Sequence, residues 1–168
     1  MGIDRAVESR TRDMLDHAMR GELEDIPRLL QSMETGPREQ SLNLCVLIAG
    51  YIAIDVSGSP WPSDAVLQRI AENTVKAETR LKLDASEVYG FVARTALRFE
   101  PLDQVFPDAA DAALAPILIT ASLLLTFCPK DKDLWTYLDE IEAATEAAAK
   151  MEPYYFPAVI LRSQIPKR

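Results

Sequence analysis

The sequence predicts an all-α fold: an irregular bundle of about seven helices with an extended C-terminal strap. Three observations carry that expectation. Apolar residues recur at helical spacing along most of the 168 residues. Two stretches, 42–56 and 114–128, are apolar all round, which is the mark of helices at the centre of a bundle. Beyond Glu152, prolines and β-prone residues prevent any continuation of the last helix. With 48% apolar residues, a chain of this length forms one domain, 1–168, that needs no disulfide or metal to hold it.

The elements follow in order. The first helix spans about 3–20, with Val7, Met14, Leu15 and Ala18 facing inward, and Gly21 stops it. The second starts at once, with Glu22, Glu24 and Asp25 at its positive end, Pro27 in its first turn, and Ile26, Leu30 and Met33 inward. Gly36-Pro37 is read as a break, and the apolar third helix as 37–56. A rigid Ser-Gly-Ser-Pro-Trp-Pro loop precedes Ser63, the N-cap of a fourth helix reaching about Lys82. Asp84 and Glu87 have capping-box spacing and open a fifth helix, which buries Val88, Phe91, Val92, Thr95, Ala96 and Phe99. A short turn over 102–106 leads to the sixth helix, 107–127, kinked or opened by Pro116. The seventh runs over about 132–152.

Pairs of helices begin near Glu22, Ser63 and Pro107, 41 and 44 residues apart, the spacing of two-helix repeats. A short two-helix-repeat solenoid is therefore the alternative architecture. The units show little residue-by-residue similarity, and the bundle stands first.

A formal charge of −8 opposes any polyanion, so nucleic acid is not an expected partner. Basic residues of the first helix alternate with acidic ones, as on a solvated face. The N-terminus lacks the apolar core of a signal peptide, and Ala6 departs from the myristoylation pattern. Each apolar run is about 15 residues, shorter than the roughly 20 that a spanning helix needs, so a membrane location is not expected. Cys45 and Cys128 sit inside apolar runs, where a thiol behaves as a small hydrophobe. A cytoplasmic location follows as the expectation.

The catalytic inventory is thin. The single histidine, His17, has Asp13 one turn before it and lies near a helix C-terminus. Carboxylates three apart occur at Glu22 and Asp25, Asp108 and Asp111, and Asp139 and Glu142. Glu22, Asp25, Asp139 and Glu142 are the candidate Mg²⁺ ligands of an all-α hydrolase, provided the second and seventh helices face each other. Ligands for di-iron or ordinary zinc sites are lacking, and no cofactor is expected. Thr120, Ser122 and Thr126 either line a pocket or bond back to their own helix. Gly50 and Gly90, beside Tyr51 and Tyr89, are read as close-packing positions.

The tail, with Tyr154, Tyr155, Phe156, Val159, Ile160 and Leu161, is too apolar to be left in water. It either straps the bundle's own core or docks on a second copy or another protein. The leading function is a non-catalytic interaction or regulatory module, with a homodimer as one form of it. Its contacts are Trp61, Tyr154, Tyr155, Phe156, Val159 and Leu161. The alternatives are the Mg²⁺ hydrolase and a small-molecule-binding bundle with its cavity between the third and sixth helices.

Overall fold

Local capping chemistry sets where most of the helices begin and end. The computed structural model describes residues 3–151. Helix α1 spans Arg5–Arg20; the Asp4 carboxylate accepts from the Ala6 and Val7 amides, and Gly21 closes the helix at φ 76°. Side chains there strain in that left-handed region, which glycine enters freely. Helix α2 spans Asp25–Ser32 and buries Ile26 and Leu30.

Helix α3 spans Thr35–Ser57. Gly36-Pro37 is thus no break. Pro37 stands in the first turn of α3, where its missing N–H has no intrahelical acceptor to lose. The chain turns earlier, at Met33 and Glu34, whose backbones are extended. The Arg38 guanidinium fixes that turn by donating to the Leu30 carbonyl (2.9 Å) and the Met33 carbonyl (2.9 Å).

Helix α4 spans Asp64–Ala77 behind the Ser63 cap, whose hydroxyl accepts from the Val66 amide. It ends short of Lys82, because a separate 3₁₀ turn, Thr79–Leu81, intervenes under the Glu78 carboxylate. Helix α5, Ala85–Tyr89, opens with the expected Asp84–Glu87 capping box. It continues as a π-helical segment, Gly90–Ala96. Helix α6 is the short turn Leu102–Val105, α7 spans Ala109–Phe127 with Pro116 inside it, and α8 spans Leu134–Met151. The bundle therefore has eight helices among the described residues: the seven expected and, as α6, the short turn expected over 102–106.

The core is one continuous cluster centred on α3 and α7. Both helices are long and apolar enough to cross a membrane by length and composition, with 67% and 50% of their most apolar windows buried inside the bundle. Helix α1 packs on both α3 and α7. That pattern departs from a solenoid, in which each pair touches only the next. Gly50 and Gly90 do permit close approach. A Cβ on Gly50 would lie 3.2 Å from the Ala96 carbonyl oxygen, and one on Gly90 3.2 Å from Val105 Cγ1.

Candidate functional site

The carboxylates singled out by spacing divide between two places on α1. At the first, Glu8, Asp139 and Glu142 converge on one guanidinium. Arg12 Nη2 donates to Asp139 Oδ1 at 2.6 Å and lies 3.3 Å from Glu8 Oε1. Arg12 Nε donates to Glu142 Oε1 at 3.3 Å, and Nη2 also reaches Glu142 Oε2. At the second, His17 Nδ1 lies 2.7 Å from Glu22 Oε2 and 3.8 Å from Asp25 Oδ2. Arg12 and His17 are five residues apart, roughly 7 Å along the axis and roughly 140° around it. Glu22 and Asp25 therefore do not meet Asp139 and Glu142.

Neither place is left as a bare acidic pair. Asp139 and Glu142 are engaged by Arg12. Glu22 and Asp25 have Arg20 and Arg28 at 3.9 and 3.6 Å beside His17. His17, Glu22 and Asp25 can bring three ligand atoms within 4.8 Å of one another, which makes them, among the described residues, the group placed to hold a cation. The histidine turns forward to these residues, across the Gly21 cap, rather than back to Asp13. Asp108 is a helix cap: its Oδ1 accepts from the Ala110 and Asp111 amides at 2.8 and 3.2 Å.

Burial of one of these carboxylates, Glu142, has a pH consequence. Burial pushes the Glu142 carboxyl up to about 6 from an ordinary 4.5, with Arg12 opposing the shift and Glu8 adding to it. The folded state then binds more protons than the unfolded chain between those values. The stability this group contributes is complete below pH 4.5 and is lost as the pH rises through 6. Glu142→Gln should flatten that dependence, removing a change on the order of 1–2 kcal/mol between pH 4.5 and 6.5. Urea midpoints across that range, for wild type and variant, check it. An unchanged slope in the variant would refute the role given to Glu142.

The thiols and hydroxyls of the apolar helices are structural. Burial pushes the Cys45 thiol up to about 12, with a hydrogen bond involving Thr120 opposing, and burial also raises Cys128. Neither thiol is poised as a thiolate nucleophile at neutral pH. Ser122 and Thr126 donate back to the Leu118 and Ser122 carbonyls at 2.8 and 2.7 Å. Thr120 crosses to α3 and donates to the Cys45 carbonyl at 3.2 Å. Helices α3 and α7 thus meet directly where the small-molecule reading placed its cavity.

A cavity of about 250 Å³ opens on another side of α3, against the end of the π segment. Asn43, Val46, Leu47, Thr95, Phe99, Glu100, Pro101 and Leu102 line it. Thr95 is only 4% exposed, and its Oγ1 is the one buried side-chain polar atom among the described residues without a hydrogen-bond partner. Thr11, Thr74 and Thr145 lie in regular α-helix and donate to the carbonyl four residues back at 2.7–2.9 Å. The widened π register denies Thr95 that bond. The same register closes the segment with Phe99 N–H to the Thr95 carbonyl (3.0 Å) and Glu100 N–H to the Arg94 carbonyl (2.9 Å). Each of these bonds spans one residue more than its counterpart in a Schellman ending.

Phe99 consequently sits at φ 61°, a left-handed conformation that is an outlier for a bulky residue. It is 40% exposed, whereas the helical spacing had placed it in the core. Sequence reasoning missed this site because a π insertion leaves the local apolar pattern nearly unchanged.

Trp61 is 70% exposed on the proline-bounded loop. That loop is held by the Ser59 amide donating to Ser57 Oγ and the Trp61 amide donating to Ser59 Oγ, both at 3.2 Å. It leaves the C-terminal end of α3. At the same end Tyr137, near the start of α8, donates to Asp55 Oδ2 at 2.7 Å and meets the Tyr51 ring edge-on, centroids 6.2 Å apart. Helix α7 also finishes there, joined to α8 by a short turn. Trp61, Leu125 and Trp135, three of the four large exposed apolar side chains among the described residues, come from this end. Tyr154, Tyr155, Phe156, Val159 and Leu161 lie outside the described residues. The chain matches no family model, no curated protein and no solved structure.

Proposed function

We propose that the protein is a non-catalytic interaction module that associates through the end of the bundle where α3 and α7 finish and α8 begins. The observation that carries this reading is that Trp61, Leu125 and Trp135, each exposed, belong to segments that finish or begin at that end. Aromatic residues on a stiff support are the anchors that dominate interface energetics. The loop bearing Trp61 is stiffened by its own serines, so little conformational freedom is lost when it docks. The chemistry around α1 points the same way. Asp139 and Glu142 serve to bind Arg12 and tie α8 to α1, an architectural use of the residues that a metal hydrolase would need free.

The partner we assign is a second copy of the chain, since isologous pairing, the same surface on both copies, is the commonest form of assembly. The charge of −8 on each copy opposes that pairing and is screened by salt. Self-association therefore strengthens as salt rises, whereas docking on a basic protein would weaken. Both tryptophans of the chain, Trp61 and Trp135, lie at this end, which makes the intrinsic fluorescence a direct reporter. The emission maximum should move to shorter wavelength as the protein concentration rises, and more so at high salt. Emission independent of concentration and salt would contradict pairing through this end.

A further inference from the structure

The end of α1 and the start of α2 bring a nitrogen ligand and two carboxylates to one point. Gly21 closes α1 in the left-handed conformation, and the Glu22 amide donates back to the His17 carbonyl at 2.9 Å. That ending folds Glu22 over the last turn of α1, and α2 opens three residues later at Asp25. His17 Nδ1 thereby stands 2.7 Å from Glu22 Oε2 and 3.8 Å from Asp25 Oδ2. One ligand atom from each of the three lies within 4.8 Å of the others.

The two carboxylates are oriented as well as close. Arg20 lies 3.9 Å from Glu22 Oε1, and Arg28 lies 3.6 Å from Asp25 Oδ1. Each guanidinium sits by the outer oxygen and leaves the inner one, Oε2 or Oδ2, towards the imidazole. Arg20 is also paired with Asp16, one turn back on α1. Asp16, Glu22 and Asp25 therefore set three negative charges against two guanidiniums, a balance that favours a cation. The side chains of His17, Glu22 and Asp25 are 28%, 43% and 45% exposed, so an ion reaches them without the core opening.

The donor set selects the ion. Mg²⁺ and Ca²⁺ take oxygen ligands, whereas an imidazole nitrogen beside carboxylate oxygens suits Zn²⁺. Tetrahedral zinc bonds of about 2.0–2.1 Å separate neighbouring ligand atoms by about 3.3 Å. The distances of 2.7 and 3.8 Å straddle that value, and exposed side chains close the difference of about half an ångström.

We infer that His17 Nδ1, Glu22 Oε2 and Asp25 Oδ2 bind one Zn²⁺ ion, with water in the fourth position. The ion takes the place of the proton between His17 and Glu22 and ties the end of α1 to the start of α2. The site shares no residue with the aromatic end, and its test does not depend on self-association.

Calorimetric titration of the full chain with Zn²⁺, with the imidazole ¹⁵N signals followed by NMR, tests the inference. His17 is the chain's single histidine, so the ring signals need no assignment among residues. One ion per chain is expected, with Kd of about 10 µM, weaker than a closed four-ligand site. Nδ1 should move much further than Nε2, and Mg²⁺ should bind about a hundredfold more weakly. His17→Gln and Asp25→Asn should each weaken Zn²⁺ binding about tenfold or more at unchanged helix content. Arg28→Gln, which removes an opposing charge and no ligand, should tighten it about threefold. Zn²⁺ binding of unchanged affinity in His17→Gln overturns the assignment, since the ion is then held elsewhere. Equal affinity for Mg²⁺, a still Nδ1 signal, or no binding below about 1 mM overturns it too.

Discussion

Replacing Tyr137 by alanine should cost about 4 kcal/mol of folding stability, the upper part of the range for truncating a buried aromatic. Tyr137 heads the largest fully buried side chains and joins α8 to α3 in two ways. Its ring packs edge-on against Tyr51, and its hydroxyl donates to Asp55, whose carboxylate is itself buried. The alanine variant loses the packing and leaves the carboxylate short of a donor. Tyr137→Phe isolates the second loss and should cost about 1–3 kcal/mol. Urea midpoints at unchanged m-value measure both. A phenylalanine variant as stable as wild type would show that the Asp55 contact contributes nothing.

Gly50→Val should cost about 2–3 kcal/mol, the upper part of the range for overpacking. The Cβ alone would stand 3.2 Å from the Ala96 carbonyl oxygen and 3.8 Å from its carbonyl carbon, both backbone atoms. The branched methyls then have no flexible side chain to push aside. Gly50→Ala is the informative control. It meets the same 3.2 Å contact but gains about 1 kcal/mol of helix propensity, so its net effect should be small. The displaced backbone belongs to the π segment, and Gly50→Val should also perturb amide signals around Thr95.

What could be read from the sequence was local. Gly21, Ser63 and Asp84 cap helices as their residue types demand, because a cap depends on bonds a few residues long. The two apolar helices were legible as the bundle's centre for a similar reason: a helix with no polar face has only one place to go. Pro37 misled because proline is compatible both with a break and with a first turn, and only the extended Met33–Glu34 backbone decides between them.

The candidate sites were hidden because they depend on contacts over long separations or on register. Nothing in the spacing of Asp139 and Glu142 points to Arg12, 127 and 130 residues away. Phe99 has the spacing of a core residue in an α-helix, and a single added residue per turn in the π segment turns it outward. The orphan Thr95 hydroxyl follows from the same change. Trp61 was legible as a loop residue, since its flanking prolines keep it out of any helix.

The solution mass of the full chain by light scattering, measured beside a Trp61→Ser/Trp135→Ser double variant, tests association through the aromatic end most directly. Wild type is expected to approach twice the 18.7 kDa monomer mass as concentration rises, at lower concentration in high salt. The double variant should remain monomeric with the same helix content. A wild-type chain that stays monomeric at every concentration and salt, or a double variant that pairs as well as wild type, would contradict the account.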